Sequence, residues 1–526
     1  MPDPHSPLSP PCLTTEEPTT VFDGLHEKCG VFGVLSPTIL PPHVPQATPD
    51  ANASVGLPMG HLLYYGLYAL QHRGQESCGM AVFDGELLHL QRGLGLVSQV
   101  FTQNQQLAQW QGKVGLGHTR YSTAGGVSIE NAQPVVCRSP LGDLALAHNG
   151  NLFNLASLRQ SFNLELSDAH GADSDSHVLA RCLAQALTQT QGNLAKAAQQ
   201  VLGLAQGAFS LVVTTQDRMV AARDRYGLRP LCLGQLPQGG WVVSSETCAL
   251  DIIGATYVRD LDPGEVWVAR LDGSTDSLRL PPITPLAEAM AINPSEPASR
   301  PCVFEYIYFA RPDSQLAGRN VYATRMAMGQ RLAKAYPVEA DWVIPVPDSG
   351  TPAAVGYAQA SGIPYLEGLI KNRYVGRTFI QPTQGLRERG LRLKLNPLSH
   401  LLQGKRVVVV DDSIVRGNTS QRLVHLLREA GVSEVHLRIS SPPVKHPCFY
   451  GIDMSDEAEL IANHYDDAAA IADWLGCDSL GYLSHADLLS AVGLTPDTAC
   501  MACFTGDYPA GRPLGKASAF VAGCCG

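Results

Sequence analysis

The sequence predicts two folded domains of different class, an α+β domain followed by an α/β domain. In the first half, short apolar segments are separated by turn-rich connections, as in a mostly antiparallel double-sheet fold. In the second half, strand and helix patterns alternate, as in βαβ units with a parallel sheet. The sharpest single signal is the run VVVV at 407–410, which is typical of a buried parallel strand.

The periodicity also places the individual elements. In the first half, strand patterns lie at 29–35, 115–122, 144–151, 209–215 and 240–246, and helical patterns at 60–71 and 176–189. In the second half, the order is strand 342–350, helix 352–360, strand 363–370, strand 407–412, helix 421–430 and strand 435–443. Gly431 would close the last of these helices.

Shifts in composition predict the domain boundaries. We expect a leader, a first domain, a Pro-rich linker of little periodicity, a second domain and a Cys-containing C-terminal extension, at 1–28, 29–271, 272–301, 302–475 and 476–526. A further Pro-rich stretch at 37–58 predicts a surface insert.

Composition excludes several classes of partner. A net charge of −10 argues against nucleic acid or a membrane surface, because either partner needs a basic face. No run approaches the roughly 18 apolar residues of a membrane span, and residues 1–28 resemble neither a secretory signal nor a transit peptide. We therefore expect a cytoplasmic protein whose 14 Cys serve as thiols or metal ligands rather than as a disulfide framework.

The strand at 407–410 ends on two carboxylates, Asp411 and Asp412, and a loop of small polar residues follows. Open α/β sheets bind ligands at the carboxyl ends of their strands. Amides at the start of the next helix favour a phosphate, and the paired carboxylates favour sugar hydroxyls or Mg²⁺. Together they predict a pocket for a ribose 5-phosphate with a metal nearby. The alternative is a buried strand whose two Asp cap the next helix.

This stretch, VVVVDDSIVRGNTS, resembles the phosphoribosyl pyrophosphate (PRPP) motif of type I phosphoribosyltransferases. The resemblance implies that Asp411 and Asp412 hold the ribose hydroxyls. It also implies that the loop after them wraps the 5-phosphate and binds PRPP through Ser413, Arg416, Gly417, Asn418, Thr419 and Ser420.

The segment PVPDSG at 345–350 resembles the pyrophosphate-binding loop of the same transferases, although alone it is only a turn. Asp348 and Gly350 would shape this loop and bind PRPP, and Ser349 would help to position Mg²⁺. Mg²⁺ prefers a few protein oxygens beside substrate phosphates. The implied site, for one Mg²⁺ per subunit, consists of Ser349, Asp411 and Asp412.

The basic, Gly-punctuated segment 371–397 resembles the mobile lid of these enzymes. Its cations Lys371, Arg373 and Arg377 would cover the leaving pyrophosphate and exclude water from a cation-like sugar carbon. Loops of this length are usually functional lids or disordered, and the alternative is a merely solvated loop.

In the first domain, Cys29 directly follows HEK and opens a strand. A lone Cys is more often a core residue than a nucleophile. Here polar motifs accompany it at strand and turn ends, namely QHRGQES, HTRYSTAG, HNGN and SDS. The set resembles the glutamine-hydrolysing domain of the N-terminal-nucleophile amidotransferases. The implied chemistry is acyl transfer, in which a thiolate attacks the glutamine side-chain amide and gives a thioester and ammonia.

The same resemblance makes the α-amino group of Cys29 the catalytic base, because such an amine titrates near neutrality, at about 7.7–8.0. An amine acylated by Lys28 cannot act as a base, so the chain must be cleaved before Cys29. No Met lies between Met1 and Met59, so removal of the initiator Met cannot expose this amine. We predict self-processing or another cleavage that removes residues 1–28.

Roles for five further motif positions follow from the resemblance. The side-chain amide of Asn149 and the N–H of Gly150 would form the oxyanion hole. Arg120 would pair with the glutamine α-carboxylate as a bidentate fork. Asp175 would take the α-ammonium, and Arg73 would line the glutamine site beside the nucleophile. The alternatives are structural ion pairs for the two Arg and a helix N-cap for Asp175.

Both halves together resemble the amidophosphoribosyltransferase family, which joins an α+β N-terminal-nucleophile (αββα) glutaminase domain to an α/β type I phosphoribosyltransferase domain. The resemblance implies that glutamine and PRPP are the substrates. Ammonia would travel internally and displace pyrophosphate from C1 of PRPP, giving 5-phosphoribosylamine, the first committed intermediate of purine synthesis. It also implies feedback inhibition by purine nucleotides and a homotetramer.

Two rival functions fit the residues less well. A hexosamine-phosphate or asparagine synthase would share the nucleophile class, but would need sugar-isomerase or ATP-site elements instead of a PRPP motif. A PRPP-sensing regulator would need a nucleic-acid-binding face, which an acidic chain lacks, and would have no use for the Cys29 motifs.

Four cysteines lie in distinctive settings. Cys500 and Cys503 form a CxxC pair, which alone fits a zinc knuckle, a redox pair or no site. Cys248 lies in SSETCALD and Cys448 in HPCFYGIDM. The four contexts resemble the family's subgroup with a 4Fe–4S cluster, which implies one cluster per subunit held by these four thiolates and joining the two domains. A four-thiolate zinc site is the alternative.

Overall fold

The computed structural model describes residues 29–38, 57–121, 128–164, 174–281, 299–372, 395–452, 454 and 456–513. The predicted leader, most of the 37–58 insert and most of the lid, including Arg373 and Arg377, lie outside these residues and stay predictions. Within the described ranges, no helix is long and apolar enough to cross a membrane.

The first domain contains two antiparallel sheets. Its strands are β1 (Gly30–Leu35), β2 (Ser77–Phe83), β3 (Leu88–Leu94), β4 (Val114–Arg120), β5 (Val135–Ser139), β6 (Gly142–Leu152), β7 (Gly207–Thr214), β8 (Arg218–Arg223), β9 (Cys232–Gln235), β10 (Trp241–Ser244), β11 (Thr256–Asp260), β12 (Glu265–Arg270) and β13 (Thr275–Arg279). One sheet has the order β11-β9-β10-β1-β4-β2-β3, and the other β13-β12-β8-β7-β6-β5.

Helices cover the outer face of each sheet. They are α1 (Met59–Ala69), α2 (Val97–Val100), α3 (Asn104–Gln109), α4 (Leu155–Ser161), α5 (Asp175–Gln189), α6 (Leu194–Leu204) and α7 (Cys248–Ile252). One apolar core joins α1 to the seven-stranded sheet, a second joins α5 and α6 to the six-stranded sheet, and a third lies between the sheets. The result is the predicted αββα layering. Strand β7 is buried along its whole length because it has a neighbour on both faces.

The second domain is built on a parallel sheet. Its strands are β14 (Gln315–Leu316), β15 (Arg319–Asn320), β16 (Trp342–Pro345), β17 (Leu369–Lys371), β18 (Leu395–Pro397), β19 (Arg406–Asp411), β20 (Glu434–Ile439) and β21 (Ser479–Tyr482). Its helices are α8 (Val321–Ala335), α9 (Thr351–Ser361), α10 (Ser399–Leu402), α11 (Asn418–Glu429), α12 (Ala468–Leu475), α13 (His485–Val492) and α14 (Ala502–Thr505). Strands β16, β19, β20 and β21 form the parallel sheet in that order.

The valine run in β19 explains the strength of the sequence signal. Val408 and Val410 pack in the core on one face of the sheet, and Val407 and Val409 pack in the core on the other. All four side chains are fully buried. A strand covered on both faces needs apolar residues at every position, and β-branched side chains suit the pleated backbone.

Two predicted domain boundaries are wrong. Strand β13 pairs with β12 and extends the six-stranded sheet, so the linker does not begin at residue 272. Strand β21 pairs with β20 in the parallel sheet, so the second domain does not end at residue 475. Both strands lie at sheet edges and are only five and four residues long, which leaves a weak periodic signal.

The predicted strand at 363–370 is also largely wrong. Tyr365 makes a single bridge to Val343, and β17 pairs with β18 in a separate two-stranded antiparallel sheet. Ile363 and Leu366 nevertheless pack against the cores of the second domain, whereas Ile370 is exposed. Packing without ladder pairing gives an apolar pattern similar to that of a strand.

Candidate active sites

The nucleophile candidate Cys29 lies immediately before β1, where that strand begins beside the end of β4. Gly30 pairs with Thr119, and a Cβ on Gly30 would come within 2.8 Å of the Thr119 hydroxyl oxygen. Glycine is therefore required for the thiol to reach the end of β4. The Cys29 thiol lies 3.7 Å from the carbonyl oxygen of Tyr121 and donates to it.

The charges around Cys29 include two of the predicted glutamine-binding residues. Burial raises the pKa of the Cys29 thiol, the positive charge of Arg120 lowers it, and the negative charges of Asp175 and Glu76 raise it. The net pKa lies above the ordinary value of a thiol. A nucleophile of raised pKa needs a base to form the thiolate. Arg120 and Asp175 carry the two charges that would complement the α-carboxylate and α-ammonium of glutamine.

The predicted oxyanion-hole donors lie on β6. The side-chain Nδ2 of Asn149 is buried and has no hydrogen-bond partner among the described residues. Leaving such a donor unpaired when buried costs about 1–3 kcal/mol, so a substrate oxygen accepting from this amide would be stabilised. At Gly150, a Cβ would come within 2.0 Å of the Ala208 carbonyl oxygen, so only glycine fits.

Asp175 is the first residue of α5 and is held by its neighbours. Its Oδ1 accepts from the Ser176 N–H at 2.7 Å, and its Oδ2 accepts from the Leu152 N–H at 3.4 Å. His148 Nδ1 lies 3.6 Å from Oδ2. Burial would raise the pKa of Asp175, but His148 and the two N–H groups hold it below the ordinary value. The helix N-cap is Ser174, so Asp175 is not the cap that the alternative required.

The structure places Arg73 in buried ion pairs, which was the alternative to its predicted role beside the nucleophile. Its guanidinium is almost fully buried and pairs with Glu246 through Nε and with Glu305 through Nη2, the latter at 2.5 Å. Burial would lower the pKa of Arg73, but these two carboxylates raise it above the ordinary value. Glu246 belongs to the first domain and Glu305 to the second, so Arg73 forms an ion pair across the seam between the domains.

Sequence reasoning missed two residues near the glutamine site. Glu76 acts on the Cys29 pKa, and His148 holds Asp175. Both lie inside motifs that the sequence singled out, QHRGQES and HNGN, and motif membership was the only available signal. Gly74 of the first motif has a structural reason to be glycine, because its Cβ would come within 2.5 Å of the Arg120 backbone nitrogen.

In the second domain, two neighbouring strands bring Ser349 to Asp412. Strands β16 and β19 are parallel and in register, with Pro345 opposite Val410, so the loops after them meet at one edge. The Ser349 hydroxyl donates to Asp412 Oδ2, and the Ser413 hydroxyl donates to Asp412 Oδ1 at 2.6 Å.

Gly350 lets these two loops approach. A Cβ at Gly350 would come within 2.4 Å of the Val410 carbonyl oxygen. No larger residue fits between the loop after β16 and the end of β19. The predicted pyrophosphate loop and PRPP motif therefore form one pocket edge.

The two carboxylates at this edge, Asp411 and Asp412, are neighbours whose pKa values are both raised. Burial raises the pKa of Asp411 well above its ordinary value, and the neighbouring charge of Asp412 raises it further. Burial also raises the pKa of Asp412, against the lowering effect of Ser349, Ser413 and Arg325. Two buried like charges are relieved by a proton or by a metal ion.

The loop after β19 leads into α11. Gly417 has φ +86° and is the N-cap residue, so the capping position itself carries no side chain. Asn418, Thr419 and Ser420 occupy the first turn of the helix. Amides at a helix N-terminus favour a phosphate, which is the ligand predicted for this turn.

Two predicted PRPP-binding cations are already paired. Lys371 Nζ lies 2.6 Å from Asp348 Oδ2. This ion pair connects the first residue of the predicted lid to the predicted pyrophosphate loop. Arg416 Nη2 lies 2.6 Å from Glu459 Oε2. Each would have to exchange a carboxylate for a phosphate on PRPP binding.

Four thiols lie near one another at the interface between the domains: Cys302, Cys448, Cys500 and Cys503. Cys302 was not among the predicted ligands. Cys302 forms a parallel bridge with Cys500, and the Cys503 carbonyl accepts from the Lys445 and His446 N–H groups, just before Cys448. Burial raises the pKa of Cys503 well above its ordinary value, and the charges of Cys302, Cys448 and Cys500 raise it further.

The predicted ligand Cys248 lies elsewhere. Its sulfur is 3.9 Å from the Ala69 carbonyl oxygen and 3.8 Å from Glu246 Oε2, in the core between α1 and the seven-stranded sheet. The structure therefore does not bring Cys248 to the other three predicted thiols and places Cys302 beside them instead. The CVFEYIYF context of Cys302 offered no spacing to the CxxC pair, so the sequence alone did not reveal it.

Comparison with known proteins follows the same two-part division. The chain matches the models of a glutamine amidotransferase domain over residues 103–263 and of a phosphoribosyl transferase domain over residues 318–440. The amidophosphoribosyltransferase of Mycobacterium tuberculosis (strain ATCC 25618 / H37Rv) is 48% identical over 517 residues, which cover 96% of this chain and 91% of that protein. The chain belongs to the amidophosphoribosyltransferase family.

Other amidophosphoribosyltransferases extend the match. The protein of Bacillus subtilis (strain 168) is 46% identical over 92% of this chain and 95% of its own length. The protein of Methanocaldococcus jannaschii is 44% identical over 91% of this chain and 97% of its own length. A solved structure, the glutamine PRPP amidotransferase from B. subtilis complexed with ADP and GMP, aligns with TM-score 0.78 at 44% identity, covering 91% of this chain and 97% of that one. The predicted family and fold class are confirmed.

Proposed function

We propose that this chain performs the family's reaction with Cys29 as its glutaminase nucleophile and the Asp411–Asp412 edge as its PRPP site. The reaction transfers ammonia from glutamine to C1 of PRPP, releases pyrophosphate and gives 5-phosphoribosylamine in purine biosynthesis. The assignment is supported most by two groupings on one chain: Arg120 and Asp175 act on Cys29, and Ser349 contacts the carboxylate pair Asp411–Asp412.

At the first site, the Cys29 thiol would lose its proton to its own α-amine after cleavage of the leader. The thiolate attacks the amide carbon of glutamine, and negative charge develops on the carbonyl oxygen. Asn149 Nδ2, which lacks a partner among the described residues, and the Gly150 N–H would stabilise that charge. Collapse of the intermediate expels ammonia and leaves a thioester, which water hydrolyses to glutamate.

Arg120 and Asp175 would hold the amino-acid end of glutamine. Their opposite charges both act on Cys29, which supports their position around one small substrate. Asp175 keeps its negative charge because its pKa is low, so it remains available for an ammonium group at neutral pH.

At the second site, Asp411 and Asp412 would hold the ribose hydroxyls, and the first turn of α11 would bind the 5-phosphate. The residues fit Mg²⁺, because Ser349 brings a hydroxyl to a carboxylate pair whose raised pKa values favour a cation. Bound there, Mg²⁺ would neutralise the charge of the leaving pyrophosphate. Ammonia attacks C1 from the face opposite the pyrophosphate, which inverts the configuration.

We further propose a 4Fe–4S cluster on Cys302, Cys448, Cys500 and Cys503. Arg229 supports this, since its buried Nε and Nη2 lack a hydrogen-bond partner of good geometry among the described residues. Burial would lower the pKa of Arg229, but the charges of Cys302, Glu305 and Cys448 raise it. A guanidinium of this kind matches an anionic thiolate-bound group. With these ligands, the cluster would hold the C-terminal segment against the interface between the two domains.

A single zinc ion on the same four thiolates is the alternative, with metal–sulfur distances of about 2.3 Å. A 4Fe–4S cubane would instead bind each thiolate through a different iron. Metal and acid-labile sulfide analysis separates the two.

Purine nucleotides are the proposed feedback inhibitors, since the B. subtilis relative was solved with ADP and GMP. A homotetramer remains our proposal for the assembly. Removal of residues 1–28 is proposed as the step that frees the Cys29 amine.

The test is release of glutamate and pyrophosphate by anaerobically purified protein, given glutamine and Mg²⁺, with and without PRPP. We expect equal amounts of both products and a strong dependence on PRPP. Glutamate release indifferent to PRPP would contradict the second site. Pyrophosphate release with ammonia but not with glutamine would contradict the Cys29 assignment. Iron and acid-labile sulfide analysis on the same sample tests the cluster, and zinc in their place would contradict it.

A further inference from the structure

One loop of the second domain packs against the backbone of the oxyanion-hole strand. It is the segment Cys448–Gly451, which we call the thiol loop. A Cβ at Gly451 would come within 3.0 Å of the Gly150 carbonyl carbon and 3.1 Å of its oxygen. Gly451 is buried and has φ +94°, so its backbone lies directly against the residue whose N–H is the proposed oxyanion donor.

A hydrogen bond joins the thiol loop to the next residue of the same strand. Asn151 Nδ2 donates to the Phe449 carbonyl oxygen at 2.9 Å. Asn151 follows Gly150 in the HNGN motif, and sequence analysis left it without a role. The two contacts fix Gly150 and Asn151 to the second domain at adjacent positions.

The thiol loop is itself anchored to the cysteine segment. The Tyr450 N–H donates to Cys448 Sγ at 3.4 Å, and the Tyr450 hydroxyl donates to the Gly511 carbonyl oxygen at 2.8 Å and accepts from the Ala510 N–H at 2.8 Å. Tyr450 also packs in an apolar cluster with Cys500 and with Ala208 of β7, the strand that pairs with β6. The thiol loop therefore packs together with Cys500 and with β7, the strand next to the oxyanion-hole strand β6.

We propose that Asn151 and Gly451 are positioning residues for glutamine hydrolysis. Through them, the thiol loop holds the Gly150 N–H at the place where the oxyanion forms. The four-thiolate site would then influence the rate of glutamine hydrolysis, because it anchors the thiol loop that contacts Gly150 and Asn151. This last consequence rests on the proposed cluster, whereas the positioning role rests only on the contacts of the thiol loop. An oxyanion donor that moves by about 1 Å lowers the rate by as much as 100-fold, because its interaction exists only in the transition state.

The test is Gly451→Ala, which pushes a methyl group against Gly150, together with Asn151→Ala, which only removes a hydrogen bond. The matched control is Gly476→Ala. Gly476 has φ +77°, but its Cβ would meet no atom within 4 Å, so the control carries the backbone strain without the clash. Asn151→Ala keeps the proposal testable if Gly451→Ala fails to fold.

For both variants, we expect kcat for glutamine hydrolysis to fall about 10- to 100-fold while KM for glutamine stays within about twofold. Binding of an aldehyde analogue of glutamine, which forms a tetrahedral adduct with the Cys29 thiol, should weaken in parallel, whereas glutamate binding should not. Ammonia-dependent pyrophosphate release and iron content should match the wild type and Gly476→Ala.

Unchanged kcat and unchanged analogue affinity in both variants would overturn the proposal. An equal loss of glutamate affinity or of ammonia-dependent activity would also overturn it, because that pattern indicates general disruption. Absence of iron from the wild type would contradict the proposed cluster but not the positioning role. The kinetic comparison between Asn151→Ala and the control does not depend on iron.

Discussion

The two proposed active sites are built in opposite ways. The proposed glutamine site gathers single residues from the position before β1, from β4, from β6 and from the start of α5, which are distant in sequence. The PRPP site is nearly contiguous, because β19, its loop and the start of α11 supply most of its predicted residues. Opposite charges meet at the first site and like charges at the second. A site gathered from many strands depends on correct packing of the whole domain, whereas a contiguous site depends mainly on its ligand and metal.

The largest expected effect is loss of the glutamine-dependent activity without loss of the ammonia-dependent activity. Cys29→Ser should lower glutamine-dependent product formation by about 10⁴-fold or more, because the nucleophile and its base belong to one residue. Ammonia-dependent pyrophosphate release should remain at the wild-type level. Cys137→Ser, which alters another partly exposed thiol of the same domain, is the control and should change neither rate. Loss of both activities in Cys29→Ser would contradict the assignment of glutamine hydrolysis and PRPP chemistry to two separate sites.

The next effect tests the oxyanion hole. Asn149→Ala should lower kcat for glutamine hydrolysis by about 10²- to 10³-fold with little change in KM, since the amide acts on the transition state. Asn193→Ala is the control, because Asn193 caps α6 by accepting from the Lys196 N–H. It should cost about 1 kcal/mol of stability and leave kcat unchanged. A large rise in KM without loss of kcat would assign Asn149 to substrate binding instead.

A third variant tests the corrected position of Arg73. Arg73→Met should lower the free energy of unfolding by about 3–5 kcal/mol, because Glu246 and Glu305 lose a buried partner. Chemical denaturation measures this, and KM for glutamine in the folded fraction should stay near the wild-type value. Arg138→Met, at a largely exposed ion pair, should cost less than about 1 kcal/mol. A specific rise in KM at unchanged stability would restore Arg73 to the glutamine site.

The smallest effect concerns pH at the PRPP site. Asp411 and Asp412 have raised pKa values in the folded chain, so they take up protons as the pH falls, and the stability gained from this protonation is lost as the pH rises through those values. Mg²⁺ competes with these protons. Its affinity should therefore be lower at a pH below the raised pKa values than at a pH above them, by up to about tenfold per unit.

Calorimetric titration of Mg²⁺ at the two pH values measures that change. Asp411→Asn removes one of the coupled charges and should flatten the dependence. An affinity that is independent of pH in the wild type, or equally dependent in the variant, would contradict a cation site at the carboxylate pair.

Local signals carried most of the sequence prediction. The strands around Cys29 and Asn149 and the whole of β19–loop–α11 follow from short apolar runs and turn residues, so their positions agree with the structure. Edge strands such as β13 were missed because half of their surface faces solvent and the apolar signal fades.

Partners from distant segments could not be predicted. Arg73 looked like a site residue because it shares a motif with the region around Cys29, yet its charge is balanced by Glu246 and by Glu305 of the other domain. Cys302 looked like a spare thiol because its neighbours Cys500 and Cys503 come from the far end of the chain. Only the fold decides which buried polar groups meet.

The central claim is that one chain passes ammonia from the Cys29 site to the PRPP site. Its most direct test supplies glutamine labelled with ¹⁵N at the side-chain amide, together with PRPP, Mg²⁺ and unlabelled ammonium at a concentration too low to support ammonia-dependent pyrophosphate release by Cys29→Ser. The ¹⁵N content of the 5-phosphoribosylamine formed is then measured by NMR. We predict a product labelled almost entirely with ¹⁵N, because the ammonia does not mix with bulk solvent. A product whose label follows the composition of the bulk ammonium would contradict the account.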